Sequence, residues 1–281
     1  MFERLSRSWG LVKASGSVLM QDKQLLVFPL ISSIATILVG ACFILPMLGM
    51  GALDGLSNGA ASTGVYLLAF LFYTSQYFVI FFFNAALVGA AMIRMDGGDP
   101  TVRDGLNIAV SKIGSIFGYA LIAATVGMIL RAIQERVGFI GKMIVGLLGV
   151  GWTMATFLVV PVLVANNVGP VDAVKESANL LKKTWGENVI GQAGLGSAFA
   201  LMTFGMLLCG IALVIAAAFT QSIALTVIVA VAVIIAMVAL ALIHAALSGI
   251  YAAVLYRYAT GGQETLGFDR GALQVAFAAK K

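Results

Sequence analysis

The chain has 281 residues, 61% of them hydrophobic and 10% charged, with a mean hydropathy of +1.03. A soluble domain is about 45–50% apolar and about 25% charged, which excludes the water-soluble globular class and predicts an all-α polytopic membrane protein. Seventeen Lys and Arg against twelve Asp and Glu leave a net charge of +5, spread without the clustered basic face that phosphate binding needs; nucleic acid is therefore not an expected partner.

Cys42 and Cys209 lie deep in apolar runs, where a thiol behaves as a small hydrophobe; no disulfide framework, metal or cofactor is expected. No polar block is long enough to fold outside a bilayer, so residues 1–281 are expected to form one integral membrane domain. The first apolar run begins at Leu25, is long enough to span, and has no small-x-small cleavage site, so it is read as a span and not as a signal peptide.

Stretches without charge cover 24–53, 55–93, 113–130, 143–171 and 188–256. About 20 residues of helix cross a hydrocarbon core, so the last stretch must hold two crossings, with Thr220, Gln221 and Ser222 as its turn. The spacing predicts six transmembrane helices near 25–48, 65–93, 113–134, 140–166, 189–218 and 223–256. They are helices because the runs lack the alternation of a membrane barrel. Residues 25–93 form a first hairpin, 100–166 a second unit and 170–256 a third, with 257–281 as a tail.

Short cytoplasmic loops accumulate Lys and Arg. Of the seventeen basic residues, Arg131, Arg136 and Lys142 fall on one face and the other fourteen on the opposite face, which predicts that both termini are cytoplasmic. Each polar segment ahead of a hairpin has helical periodicity. Leu5, Trp9, Val12, Gly16 and Leu19 share a stripe within 1–24; Val102, Leu106, Ala109, Ile113 and Phe117 share a second. Val171, Val174, Ala178, Leu181 and Trp185 share a third, opposed by Asp172, Lys175, Glu176, Asn179, Lys182 and Lys183. These are predicted to be three interfacial amphipathic helices, the second opened by a Thr101–Asp104 capping box and the third by Pro170 in its first turn. Asp104-Gly105-Leu106 and Phe117-Gly118 match Asp172-Ala173-Val174 and Trp185-Gly186 at an offset of 68, and Val12-Lys13-Ala14-Ser15 matches Val174-Lys175-Glu176-Ser177. The pattern predicts a threefold parallel repeat.

Ser8-Trp9 through Val18-Leu19, Asp22-Lys23, Phe28-Pro29-Leu30, Phe83-Asn84-Ala85-Ala86-Leu87, Val160-Pro161-Val162, Gly169-Pro170-Val171-Asp172-Ala173 and Thr184-Trp185-Gly186-Glu187 carry a resemblance. Over most of its length the chain resembles an uncharacterised family of prokaryotic six-helix integral membrane proteins. It is more loosely similar to the membrane domains of some glycerophosphodiester phosphodiesterases, without their hydrolase domain. The resemblance implies the fold and the cytoplasmic (inner) membrane of a prokaryote, and no activity.

Polar residues inside spans are the default places to look for function. Gln76 and Asn84 stand two turns apart in the second span, and His244 is the only histidine, with Ser248 one turn on. They suggest a polar path, against the alternative that amides and a neutral imidazole simply bond between helices. A Ser-His hydrolase lacks its acid, since no Asp or Glu occurs in 188–256. Asp96 and Asp99 read as a turn before a helix cap, Gly191, Gly194, Gly196, Gly205 and Gly210 as close-packing positions, and Pro161 as a kink. The leading expectation is a non-enzymatic scaffold that contacts membrane lipids, or another membrane protein, through Trp9, Lys175, Lys182, Lys183 and Trp185. The alternative is a small-solute transporter or channel with a path near Gln76, Asn84 and His244.

Overall fold

A computed structural model describes residues 16, 18–49, 63–183 and 185–260, excepting the side chains at 183, 185–193, 195 and 258. Trp9 lies outside the described residues, as do the side chains of Lys183 and Trp185 and most of the first predicted stripe. Helices follow in chain order: α1 (Val27–Gly49) behind a 3-10 turn, α2 (Thr63–Met95), α3 (Val102–Ser111), α4 (Ile113–Arg136), α5 (Phe139–Ala155), α6 (Val159–Ala165), α7 (Pro170–Lys183), α8 (Trp185–Phe219) and α9 (Ile223–Ala259). No strand occurs among the described residues. Six segments are long and apolar enough to cross a membrane: Lys23–Gly49, Thr63–Met95, Ile113–Arg136, Phe139–Ala165, Gly196–Phe219 and Ile223–Arg257. This multi-pass architecture matches the six predicted spans. Its exterior carries Ile37, Leu148, Ile235 and many other exposed apolar side chains, far beyond the few hundred Å² patch of a soluble monomer.

The helices converge at the end of the bundle that holds Lys23, Met95, Lys112, Ala165 and Arg257, here the basic end. Phe28 of α1, Ala85–Leu87 of α2, Ile116 of α4, Leu158–Leu163 around α6 and Ile250–Leu255 of α9 are buried there in one cluster. Toward the opposite end the packing thins, and the α8–α9 hairpin leaves Phe219 83% and Ile223 82% exposed at its tip. That tip is the predicted Thr220–Ser222 turn, with Gln221 at φ 56°.

Three local departures from the sequence pattern have physical causes. The stripe predicted over α3 stops at Lys112, whose N–H bonds back to Ala109 and breaks the helical phase; Ile113 and Phe117 are each 47% exposed. Gly105 is buried instead, in backbone contact: a Cβ there would come within 2.6 Å of Ala86 O and of Phe28 Cζ. The docked side of α7 comprises Ala173, Ser177, Leu180 and Leu181, and Val171 is exposed. The Pro161 kink is a full interruption one turn upstream, Thr156–Leu158, because the proline ring conflicts with the carbonyl of Phe157 and cannot bond to it. Of the predicted close-packing glycines, Gly210 approaches Val233 at 2.5 Å for a built Cβ, whereas Gly196 and Gly205 face open space.

Candidate functional site

At the basic end, polar side chains join the helices. The predicted capping box is present: Thr101 Oγ1 accepts from the Asp104 N–H at 3.2 Å, and Asp104 Oδ2 accepts from the Thr101 N–H at 2.9 Å. Thr101 Oγ1 also donates to Asp104 Oδ2 at 2.6 Å, and this side-chain bond foremost, with the main-chain one to the same oxygen, holds the Asp104 carboxyl below the usual range. Arg257 of α9 forms a bidentate ion pair with Asp96, and Arg94 pairs with Asp99 at 3.1 Å. Both carboxylates of the Asp96–Asp99 turn are therefore matched by Arg.

The break at Thr156–Leu158 is repaired from α7. Ser177, 0% exposed, donates from Oγ to Ala155 O at 2.7 Å and accepts from the Leu158 N–H at 3.1 Å. Nearby, Asn166 Nδ2 donates to Glu176 Oε1 at 3.1 Å, while Lys112 Nζ donates to Asn166 O at 2.9 Å. Ser177 and Asn166 thus fasten α7 across the helix ends. The sequence flagged neither role, since a Ser within a helix and an Asn in a loop are ordinary there.

Above this layer the splayed helices enclose a cavity of about 660 Å³. Pro29 and Ser32 of α1, Tyr77, Phe81, Asn84 and Leu87 of α2, and Tyr119 and Gly127 of α4 form part of its wall. Gly149, Trp152 and Thr153 of α5, Val160 of α6 and Ala245, Ser248 and Gly249 of α9 complete the circuit. Among the described residues no Asp, Glu, Lys, Arg or His lines it. Aromatic contacts stiffen one side: Tyr77 stacks on Phe81 at 5.7 Å, and Phe81 on Tyr119 at 4.5 Å.

Of the residues in the predicted polar path, the cavity contains Asn84 only. Gln76 turns toward α1, donating from Nε2 to Thr36 O at 3.2 Å. His244 is stacked on Phe199 of α8, ring centroids 4.5 Å apart, while its neighbour Ser248 lines the cavity. Of the predicted headgroup contacts, Lys175 is 69% exposed and paired with Asp172 at 3.2 Å, and Lys182 is exposed.

No curated protein matches the chain. Residues 63–267 match the Family of unknown function (DUF6159), a stretch that takes in α2 to α9 and all the cavity wall except α1, and the chain belongs to that family.

Proposed function

We propose that the protein is a non-enzymatic lipid-binding scaffold of a prokaryotic cytoplasmic membrane, with both termini cytoplasmic and with α3 and α7 as amphipathic helices at headgroup level. One observation carries this reading. Ala173, Ser177 and Leu180 hold α7 against the bundle, so Lys175 and Lys182 project from the opposite side, beside the ends of the spans. The Lys175–Asp172 pair does not sequester the Lys175 ammonium, because both side chains are 69% exposed and such pairs contribute only about 0–1 kcal/mol. Gly105 and Ala173, corresponding positions of the second and third units, are both buried, which supports a repeated docking mode. An open channel is disfavoured by the dry layer at the basic end, where Ala85, Val159 and Ile250 are fully buried.

Each basic residue at an anionic surface contributes about 1 kcal/mol. Replacing Lys175, Lys182 and Lys183 together by Gln should weaken retention of anionic phospholipid in native mass spectra by roughly 100-fold, with helicity unchanged. Unchanged retention by a folded variant would refute the scaffold reading.

A further inference from the structure

We infer that the cavity between α1, α2, α4, α5, α6 and α9 binds one neutral amphiphile, an aliphatic or isoprenoid chain ending in an uncharged hydroxyl or carbonyl, held by Asn84 and Ser248. The inference rests on the lipid-binding reading and names a second, chemically different site for it.

Depth comes first. Asn84 stands eleven residues before Met95, and Ser248 eleven before Ala259. At about 1.5 Å per residue both are about 16 Å from the basic end, near the middle of a hydrocarbon core about 30 Å thick. The two helices are locked at this level: a Cβ on Gly249 would come 2.5 Å from Leu87 Cδ2 and 3.0 Å from Asn84 Oδ1.

Unmet hydrogen bonding comes second. Thr153 and Thr156 spend their hydroxyls on their own helix, donating to Gly149 O at 3.0 Å and Trp152 O at 2.8 Å. Asn84 and Ser248 make no such bond among the described residues. A carboxamide and a hydroxyl in a mid-membrane cavity leave several donor and acceptor positions open, a state that costs free energy in hydrocarbon unless a ligand or water fills them. Together they can bond a hydroxyl or carbonyl oxygen.

Charge and access define the remainder of the ligand. An uncharged wall at this depth offers no counter-ion, so a carboxylate, phosphate or ammonium is rejected by its desolvation cost. The volume lies within the about 300–1,000 Å³ of small-molecule sites. Thr153 and Ala245 on the wall are exposed and Gly149 is half-buried, while Tyr119 and Thr156 are buried. The mouth therefore opens between α5 and α9, which make no extended contact among the described residues. Ala245 is about 21 Å from the basic end by the same rise; the mouth faces hydrocarbon, and the ligand enters laterally from the bilayer.

Trp152 on the wall is a built-in reporter once Trp9 and Trp185 are replaced by Phe, since the chain has three tryptophans. The full chain in detergent is titrated with a brominated long-chain alcohol, and with the matching brominated fatty acid and alkylamine at pH 7.5. The expected result is saturable quenching by the alcohol that unbrominated alcohol relieves, with at least tenfold weaker quenching by the two charged probes. Asn84→Leu should weaken alcohol binding by roughly 5- to 10-fold, the loss of one or two neutral hydrogen bonds. Gly149→Leu, whose Cβ enters open space, should abolish saturation while preserving the melting temperature, and it decides the matter if Asn84→Leu does not fold. Non-saturable quenching, equal quenching by charged probes, or full binding by folded Gly149→Leu would overturn the site. Loss of anionic lipid in the lysine variant with normal alcohol binding would leave both readings standing. Normal anionic retention there with saturable alcohol binding would remove the headgroup reading alone.

Discussion

Ser177→Ala tests how the fold tolerates its broken helix. The substitution removes one hydroxyl from a residue with no exposure and leaves two main-chain groups, Ala155 C=O and Leu158 N–H, without the bonds Ser177 makes to them at 2.7 and 3.1 Å. Two estimates compete. Leaving a buried donor or acceptor unmade costs about 1–3 kcal/mol, whereas side-chain bonds between membrane helices average about 0.6 kcal/mol, because the separated helices find other partners. The second estimate presumes alternatives that this site lacks: Leu158 is itself fully buried, and Pro161 prevents the helix from closing through the gap. The expected destabilisation is therefore about 2 kcal/mol, measured by unfolding in mixed micelles. Ser177→Cys, a weak donor, should fall between. Ser197→Ala is the control, since that exposed hydroxyl bonds only to Gly194 O of its own helix, at 3.1 Å. A loss of 0.6 kcal/mol or less for Ser177→Ala, or a loss equal to the control, would refute the repair.

The Asp104 carboxyl is held below its ordinary value by Thr101, so its contribution to the α3 cap is complete above about pH 4 and is lost as pH falls through the lowered value. A carboxyl-carbon NMR titration should give Asp104 a lower midpoint than in Thr101→Ala, and equal midpoints would exclude the box. Gly249→Ala should destabilise by about 1–3 kcal/mol through overpacking against Leu87 and Asn84. Gly205→Ala, into open space, should leave the melting temperature unchanged or raised; equal losses at both positions would contradict the helix contacts. Reporter fusions after Asn58 and Gln221 should report the outside and fusions after Asp99 and Gly186 the inside; a cytoplasmic signal at Asn58 would reverse the topology.

The spans were legible because charge marks their ends. The predicted 223–256 became Ile223–Ala259, stopping beyond Arg257, and the predicted 113–134 became Ile113–Arg136. A helix in hydrocarbon has one strong constraint, a run of about 20 residues without unpaired charge, and that constraint is written in the order of residues. Docking of the short helices was less legible, since it depends on what lies opposite. Gly105 is buried because α2 presents the bare Ala86 carbonyl to it, and no periodicity in α3 reports that.

Helical angle explains why the polar path dispersed. Gln76 and Asn84 are eight residues apart, which at about 100° per residue leaves them about 80° out of register. That angle sends Gln76 to Thr36 of α1 and Asn84 to the cavity beside α9. His244 and Ser248 differ by only about 40°, yet α9 lies between α8 and the cavity, so the small difference decides which neighbour each meets. His244 meets Phe199, and Ser248 meets Asn84's cavity. A site assembled from six helices is fixed by their splay, and the splay follows from the dense layer at the basic end. Gly105, Gly249 and Ser177 each draw two elements into close contact at or near that layer. The volume left above it is the consequence: tight closure at one end of helices that diverge leaves a cavity near the middle, where an uncharged wall selects a neutral chain.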